Sequence, residues 1–323
     1  MDFPDPQHII ARQAEMLANR VAKNYNKLAP SFRQQQIDCF RLYDRDIPEI
    51  RAVVDYYAGH LVVAEFTRTQ TAELPGWLEA MAAAVGQKLG IPPEQIHTRQ
   101  RRTRPEAGSR YRRLDTTGKR LPVRERDLQF LVNLDDFLDT GLFSDHRDTR
   151  KLVRGSCAGD DVLNLFCYTG AFTVAAAVGG ARSSDSVDVS GPYLDWLADN
   201  LRLNGQDLGP HRRHQIEADA FLEWAEKQGK TWDLAIVDPP SFSQRRTGSD
   251  WDVQRDHADL LRRVLDRLRP GGVLWFSTNH QQFQPNFDGL PAAIEDWTTR
   301  SIPPDFRNRA VHRLWRLQRP IDE

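Results

Sequence analysis

Two carboxylates that end apolar segments are the residues most suited to chemistry in this 323-residue chain. Asp188 ends one such segment eighteen residues after Gly170, and Asp219 ends the next. A carboxylate at a strand end can accept hydrogen bonds from ribose hydroxyls, so Asp188 is a candidate for a ribose, and Asp219 for an adenine amino group. The loop from Asn164 to Gly170 has one glycine and lacks the cradle that a pyrophosphate needs. Unless both acids are only polar strand ends, this pattern favours S-adenosylmethionine over NAD.

A second candidate site is the segment Asp238-Pro239-Pro240-Ser241-Phe242, which follows the fourth predicted strand of this part of the chain. The two prolines restrict the backbone, so that a carbonyl is held at a fixed place. Phe242 offers an aromatic face on which an extruded base can stack. An ordinary proline-containing turn is the alternative, but the position at a strand end favours a catalytic segment made of Asp238, Pro239, Pro240 and Phe242.

Cysteine and histidine spacing argues against disulfide or metal chemistry. The three cysteines, Cys39, Cys157 and Cys167, form no CxxC pair, which is typical of a reducing cytoplasm. His211 and His214 lie three residues apart without an accompanying carboxylate or thiol cluster. The sequence therefore predicts no metal site.

The elements that would position these residues alternate from Asp161 onward. Apolar strands between amphipathic helices predict a parallel sheet that is covered on both faces, with ligands at the carboxyl ends of its strands. The predicted strands are 161–165, 186–189, 214–218, 233–237, 273–277 and 311–317, and the helices are 172–178, 193–203, 220–227 and 253–268. Ser190 is predicted to cap the second of these helices.

The first part of the chain predicts a different architecture. Apolar residues at three-to-four spacing indicate one or two N-terminal helices over residues 1–36. Short β-branched and aromatic segments around a single helix, 77–89, indicate a small α+β module over residues 37–135. No apolar stretch has the length of a membrane helix, and the first residues do not resemble a secretory signal.

The charge of the chain is unevenly distributed. Its formal net charge is −1, which by itself argues against nucleic acid as a partner. Residues 97–126, however, contain eleven Lys and Arg and only three acids. Such residues contact phosphates and position RNA without determining sequence preference, although a solvated surface is the alternative. The candidate RNA-binding residues are Arg99, Arg101, Arg102, Arg104, Arg110, Arg112 and Arg113.

Several motifs together resemble class I methyltransferases of large-subunit rRNA, and most of all the RlmK type, the C-terminal half of the RlmKL family. They are Asn164-Leu165-Phe166-Cys167-Tyr168-Thr169-Gly170, Val187-Asp188-Val189-Ser190, Asp238 to Phe242, and the segment from Asp139 to Arg147. The segment Asp252 to His257 and the ending Asp305 to Arg309 with His312 and Trp315 support this similarity. The resemblance implies a Rossmann-like methyltransferase domain over residues 136–323, after the α+β module and the N-terminal helices.

The same resemblance implies roles for individual residues. Phe143, Asp145 and Arg147 would close over the methionine end of S-adenosylmethionine, unless Arg147 is only an ion-pair partner of Asp145. Asp188 would hold the ribose, and Asp219 with Ala220 would frame the adenine. The residues that would shape the floor of the cofactor site are Asn164, Phe166, Tyr168, Thr169 and Gly170, with Ser190 beside them.

The implied reaction is methylation of guanine N7 in 23S rRNA. Enzymes that make 5-methylcytosine use a cysteine after the fifth strand, where this chain has Phe276-Ser277-Thr278-Asn279-His280. Cys167 is better explained as a small buried residue. Guanine N7 carries a lone pair and no proton, so alignment and exclusion of water suffice for its attack. The alternatives are another RNA base, an exocyclic amine included, and a non-catalytic RNA-binding assembly module. The resemblance also implies a separate THUMP-containing methyltransferase as a candidate partner.

Overall fold

A computed structural model describes residues 5–67, 74–102, 114–244 and 250–321. The chain divides into two compact units, one formed by residues 1–140 with 304–307 and the other by residues 141–303 with 308–323. In the described part of the chain, no helix has both the length and the apolar character that crossing a membrane requires.

The first unit packs two helices against a four-stranded sheet. Its elements are α1 (Pro6–Gln34), β1 (Cys39–Asp44), β2 (Ala52–Tyr57), β3 (His60–Thr67), α2 (Trp77–Leu89), β4 (Ile96–Arg102), β5 (Leu121–Glu125) and β6 (Leu128–Val132). The strand order is β1-β2-β3-β4, in which only β3 and β4 are parallel because α2 connects them. Strands β5 and β6 form a separate antiparallel hairpin.

The N-terminal segment forms a single helix, although Pro30 lies inside it. The Asp5 side chain accepts a hydrogen bond from the backbone N–H of Gln7 and caps the helix. Its buried face carries Leu17 and Val21, whose spacing matches the helical repeat, and this face joins the core of the first unit.

The second unit is a seven-stranded sheet with helices on both faces. Its elements are α3 (Arg147–Ser156), β7 (Asp161–Leu165), α4 (Ala171–Val178), β8 (Ser183–Asp188), α5 (Gly191–Leu203), β9 (His211–Gln215), α6 (Ala218–Lys227), β10 (Trp232–Val237), β11 (Phe242–Ser243), β12 (Trp251–Asp252), α7 (Val253–Arg267), β13 (Leu268–Thr278), β14 (Ala293–Asp296), α8 (Thr298–Ser301) and β15 (Arg313–Gln318). The strand order is β14-β15-β13-β10-β7-β8-β9, and the small pair β11-β12 lies outside this sheet.

The topology confirms the predicted Rossmann-like sheet. Strands β9, β8, β7, β10 and β13 are parallel, whereas β15 runs antiparallel to both β13 and β14. The strand order reverses between β7 and β10, and in open α/β sheets ligands bind in the crevice beyond the carboxyl ends of the strands at such a reversal. The segments that follow these two strands are Phe166 to Gly170 and Asp238 to Phe242.

Within the seven-stranded sheet, β9 is displaced from its predicted position and β14 was not predicted, and the short strands β11 and β12 outside it were not predicted either. Strand β9 is His211–Gln215 rather than 214–218, because its side chains are polar and their pattern does not mark a buried strand. Its His214 and Arg212 instead bind the buried carboxylate of Asp185 on β8. Strand β14 was not predicted, since it is an edge strand with an almost fully exposed sequence.

Candidate functional site

The loop between β7 and α4 has an unusual backbone. Phe166, Tyr168 and Gly170 all lie in the left-handed region, with φ of 57°, 51° and 76°. Only glycine adopts this region without a penalty, and each other residue there costs of the order of 1 kcal/mol or more. A loop with two such residues at the topological reversal must be held in place by its surroundings, which is a feature of ligand sites.

Asp188 is one of the groups that hold this loop. Its Oδ2 accepts the backbone N–H of Tyr168 at 3.0 Å, and its Oδ1 accepts the backbone N–H of Ser190 at 2.9 Å. On the other side of the loop, Thr169 Oγ1 donates to the carbonyl of Gly141 at 2.6 Å, and Asn200 Nδ2 donates to the carbonyl of Thr169 at 2.9 Å. Hydrogen bonds from three separate segments therefore fix the strained conformation.

Gly170 shows why the loop approaches α5 so closely. It is the N-cap of α4 and has a left-handed backbone, and a Cβ atom at this position would overlap the side chain of Leu197. Gly141, also left-handed, is packed in the same way against the ring of Trp196. Both contacts leave no room for a larger residue, so the predicted importance of Gly170 has a steric basis.

The carboxylate of Asp188 can accept further hydrogen bonds in addition to those from the backbone N–H groups of Tyr168 and Ser190. Each oxygen of an ionised carboxylate has two lone pairs, and each accepts one of the two backbone hydrogen bonds described above. Burial raises the pKa of Asp188. A hydroxyl group that donates to this carboxylate would stabilise its charged form, as expected for a ribose-binding acid.

Two exposed apolar residues flank Asp188 and were missed in the sequence. Val189 is 50% exposed and Ile216 is 36% exposed, each just after the end of neighbouring strands β8 and β9. The backbone N–H of Ile216 donates to the carbonyl of Asp188 at 3.2 Å, which joins the two strand ends. A flat apolar ring such as adenine could cover both side chains. A β-branched residue directly after a strand-end acid was the available signal.

Phe143 and Tyr168 form an aromatic wall at the same edge of the sheet. Their ring centroids are 5.4 Å apart, and Tyr168 contacts Tyr193 edge-to-face at 4.5 Å. Phe143 is 43% exposed. An exposed aromatic ring can cover a bound ligand, so the predicted role of Phe143 at the cofactor stays a prediction.

Other predicted cofactor residues have different surroundings. Asn164 is buried and donates to Thr173 Oγ1 at 2.9 Å, and Arg147 is buried at the first residue of α3. Phe166 packs against Trp251, with ring centroids 5.8 Å apart. Ser190 does occupy the N-cap of α5, but its side chain makes no capping hydrogen bond.

Asp219 has a different environment from the one predicted. It lies in the first turn of α6 rather than at the end of a strand, and Arg263 Nη1 donates to its Oδ1 at 2.8 Å. The second Arg263 nitrogen donates to the Asp219 carbonyl at 3.0 Å. Asp219 therefore links α6 to α7, while its neighbour Ala220 is exposed.

Two buried histidines form a network with Asp145 and with the partly exposed Asp238. His312 Nδ1 donates to Asp145 Oδ2 at 2.9 Å, and its Nε2 lies 2.9 Å from Ser301 Oγ. The His312 ring stacks on that of His146, with centroids 4.1 Å apart. His146 Nε2 is 3.8 Å from both Asp145 Oδ2 and Asp238 Oδ2. Asp145 thus contacts this network, where the resemblance implied a cofactor contact.

The electrostatics of the network keep His146 neutral. Burial, reinforced by the neighbouring His312, lowers the pKa of His146 to about 4. Asp145, His146 and His312 each have one side-chain atom that could bind a metal ion, and these three atoms lie within 4.8 Å of one another. The sequence did not reveal this cluster. Both nitrogens of His312 already have hydrogen-bonding neighbours, so we interpret the cluster as a positioning network.

The Asp238 segment is anchored on several sides. Ser277 Oγ donates to Asp238 Oδ1 at 2.6 Å, and Trp251 Nε1 donates to the carbonyl of Pro240 at 2.7 Å. Pro239 is buried, whereas the side chain of Phe242 is 51% exposed on the short strand β11. The segment therefore offers a partly exposed carboxylate and an exposed ring on a fixed backbone.

The cysteines and the histidine pair are structural. All three cysteines are buried, and burial raises the pKa of the Cys167 thiol well above its ordinary value. His211 lies 3.0 Å from Ser184 Oγ, and His214 lies 2.8 Å from a carboxylate oxygen of Asp185. A thiol of this kind is a poor nucleophile, because the thiolate is the reactive form.

The predicted RNA-binding arginines are only partly described. Arg99 is 3% exposed and donates to the carbonyls of Leu138 and Asn133, at 2.6 and 3.3 Å. It is a buried structural residue, so its inclusion among the RNA-binding residues was wrong. The side chains of Arg101 and Arg102, and the whole of Arg104, Arg110, Arg112 and Arg113, lie outside the described residues.

Comparison with known proteins decides the family. The model of the S-adenosylmethionine-dependent methyltransferases matches residues 39–304. The chain belongs to this family. Membership of this family confirms the predicted cofactor, S-adenosylmethionine. Among solved structures, SMU.776, a methyltransferase candidate complexed with SAH, has the same fold, with a TM-score of 0.77, 21% identity, and coverage of 95% of this chain and 81% of that one.

Curated relatives of this methyltransferase carry names that refer to ribosomal RNA. The chain is 40% identical over 308 residues to the ribosomal RNA large subunit methyltransferase K of Neisseria meningitidis, covering 93% of this chain and 86% of that protein. It is 43% identical over 317 residues to the methyltransferase K/L of Pseudomonas putida, covering 96% of this chain but 42% of that protein. The chain thus spans less than half the length of the K/L relatives, and the resemblance to the RlmK type is confirmed.

Proposed function

We propose that the chain methylates N7 of guanine in 23S rRNA, with no covalent enzyme intermediate. The observation that carries this proposal is the chemistry of the base site. It offers the exposed ring of Phe242 and the carboxylate of Asp238, whereas every cysteine of the chain is buried. A 5-methylcytosine enzyme needs an accessible thiolate, and guanine N7 needs neither a nucleophilic side chain nor a base. The names of the relatives support large-subunit rRNA as the substrate.

The residues present fit S-adenosylmethionine. Asp188 would accept hydrogen bonds from the ribose, while the exposed side chains of Val189 and Ile216 would pack on the adenine. Phe143 and Tyr168 would cover the methionine end. When bound, the cofactor supplies an electrophilic methyl group on its sulfonium sulfur.

The remaining residues orient the base and exclude water. Phe242 would stack on the extruded guanine, and the anchored Asp238 would accept its polar hydrogens. The network of His146, His312 and Asp145 keeps the Asp238 segment in place, and His146 stays neutral at neutral pH because burial lowers its pKa. Alignment of this kind can supply up to roughly 7–11 kcal/mol of the barrier reduction.

Methylation of protein-free 23S rRNA, followed by digestion and identification of the nucleoside, tests the proposal. We expect 7-methylguanosine as the product. Phe242→Ala should lower kcat/KM roughly 5- to 150-fold, the range that corresponds to the loss of one base–aromatic stack, and Phe242→Tyr should restore it. Cys167→Ala should still give the same product.

The same experiment separates the alternatives. A different methylated nucleoside would refute the N7 assignment, and a loss of all product in Cys167→Ala would favour a covalent mechanism. Failure to bind S-adenosylmethionine in the presence of RNA would support a non-catalytic assembly module. We also propose a cytoplasmic location, where ribosomal RNA is modified, and a separate THUMP-containing methyltransferase as a candidate partner that opens the RNA.

A further inference from the structure

A cavity in the first unit has no role in the site described above. It has a volume of about 240 Å³ and lies where the end of α1 meets β1, β2 and β5. Its lining combines three aromatic rings with charged and amide groups, a composition typical of ligand sites. The volume is below the range of about 300–1,000 Å³ that is usual for drug-sized ligands, so a single planar ring system would fill it.

Aromatic residues form one wall of this cavity. Phe40 is buried, and its ring centroid lies 5.0 Å from that of Tyr56. Tyr25 contacts Tyr56 edge-to-face at 5.6 Å, and both tyrosines remain partly exposed. Burial and the neighbouring Tyr25 raise the pKa of Tyr56, so its phenol keeps its proton. The wall therefore offers aromatic surface together with a hydroxyl group.

The polar side of the cavity is held by a backbone ladder between the end of α1 and β5. Asp38 N donates to the carbonyl of Arg124 at 3.1 Å, and Asp38 Oδ1 accepts the backbone N–H of Arg124 at 2.6 Å. Arg126 N donates to the carbonyl of Gln36 at 3.1 Å. Gln36 and Arg126 both have a left-handed backbone, with φ of 57° and 61°. Two strained residues at one short ladder indicate that its geometry is tightly determined.

The carboxylate of Asp38 shares the lining of this cavity with two cations, Arg33 and Arg124. Asp38 is half-buried, and burial raises its pKa. Of the two carboxylate oxygens of Asp38, Oδ1 is the one that accepts the backbone N–H of Arg124. Arg33, in the last turn of α1, and Arg124 are exposed at the rim. A ligand that donates hydrogen bonds to Asp38 and carries a phosphate would satisfy all three charges.

We propose that this cavity binds an unstacked guanine nucleotide of single-stranded RNA, with the base against Tyr25 and Tyr56 and its phosphate near Arg33 and Arg124. Guanine presents two adjacent N–H donors, N1–H and the N2 amino group, which match one carboxylate. Adenine and cytosine present one amino group beside an acceptor, which would face the carboxylate unfavourably. The inference rests on the RNA substrate proposed above and adds a second base-binding site to it.

Titration of the full chain with guanosine and cytidine 5′-monophosphate, without S-adenosylmethionine, tests the base preference. The wild type should bind the guanine nucleotide more tightly. Asp38→Asn, which keeps an acceptor for the Arg124 N–H, should weaken guanine binding roughly tenfold and remove the preference. Glu49→Gln, an exposed carboxylate of the same unit, should change neither value. Phe242→Ala should retain the preference, since guanine at the catalytic segment would be lost in that variant.

A labelled single-stranded RNA containing guanine tests the phosphate contact. Arg33→Gln should reduce the slope of log affinity against log salt by about 0.7, the value for one single-strand phosphate contact. Arg12→Gln is a matched control, because it lies on the same helix about 30 Å away. Equal slopes in the two variants would overturn the phosphate assignment.

The outcomes separate this inference from the proposed function. Equal affinities for the two nucleotides, or equal effects of Asp38→Asn and Glu49→Gln, would overturn the guanine pocket even if the chain methylates 23S rRNA. A guanine preference that depends on Asp38 would support the pocket even if the methylated nucleoside is not 7-methylguanosine.

Discussion

Replacing His146 with glutamine should flatten the dependence of stability on pH between pH 7 and pH 5. Burial and His312 lower the pKa of His146 from 6.5 to about 4, Asp238 and Asp145 oppose this shift, and Arg150 adds to it. The folded chain therefore keeps the imidazole neutral over a pH range in which the unfolded chain protonates it.

The sign and size follow from proton linkage. Between pH 6.5 and pH 4 the unfolded state binds more protons than the folded state, so the free energy of unfolding decreases as the pH falls. With these two pKa values, protonation of His146 removes about 2 kcal/mol of stability between pH 7 and pH 5. The loss approaches about 3 kcal/mol at lower pH, since each pKa unit is worth about 1.4 kcal/mol.

Urea unfolding followed by tryptophan fluorescence measures this loss. Seven of the eight tryptophans, all but Trp77, belong to the second unit, so the signal reports on the unit that contains His146. The wild type should lose about 2 kcal/mol more than His146→Gln on acidification, because glutamine does not titrate. His8→Gln, an exposed histidine of α1, should behave as the wild type. Parallel pH profiles for the wild type and His146→Gln would refute the argument.

Two further predictions concern the cofactor and the RNA. Asp188→Ala should weaken S-adenosylmethionine binding at least tenfold, because the ribose acceptor and the support for the Tyr168 backbone are both lost. Calorimetry measures this change, and RNA affinity should stay the same. An unchanged cofactor affinity would rule out the ribose assignment. Replacing Arg101 and Arg102 with glutamate should weaken RNA binding and make its salt dependence shallower, measured by anisotropy over a salt series; an unaltered slope would remove this segment from the interface.

The fold was predictable where burial and sequence pattern coincide. Strands β7 and β10 are mostly apolar and mostly buried, which is the pattern typical of central strands in a parallel sheet. Strand β9 was misplaced because its polar side chains are satisfied by ion pairs with Asp185, a long-range interaction without a local signature. Strand β14 has no hydrophobic pattern for a different reason, because it is an edge strand whose side chains are almost all exposed.

The sequence can predict only those residues of the candidate site whose own type and position in the chain are informative. Asp188 was chosen as a candidate because a carboxylate at a strand end has a recognisable position, and the structure does place it at the end of β8. The hydrogen bond between His312 and Asp145 joins residues 167 positions apart, so no spacing rule could indicate it. The hydrogen bond from Asn164 to Thr173 likewise has no local signature, and only the packing of α4 reveals it.

The basic segment 97–126 shows how burial changes the meaning of charge. Arg99 belongs to the segment by sequence, yet its guanidinium binds backbone carbonyls in the interior of the first unit. Arg124 belongs to the same segment, and it lies at the rim of the guanine cavity proposed above. Counterion release on RNA binding comes only from cations that reach phosphate. The salt slope of RNA binding should therefore be insensitive to Arg99 and sensitive to Arg124, although the sequence gives both the same charge.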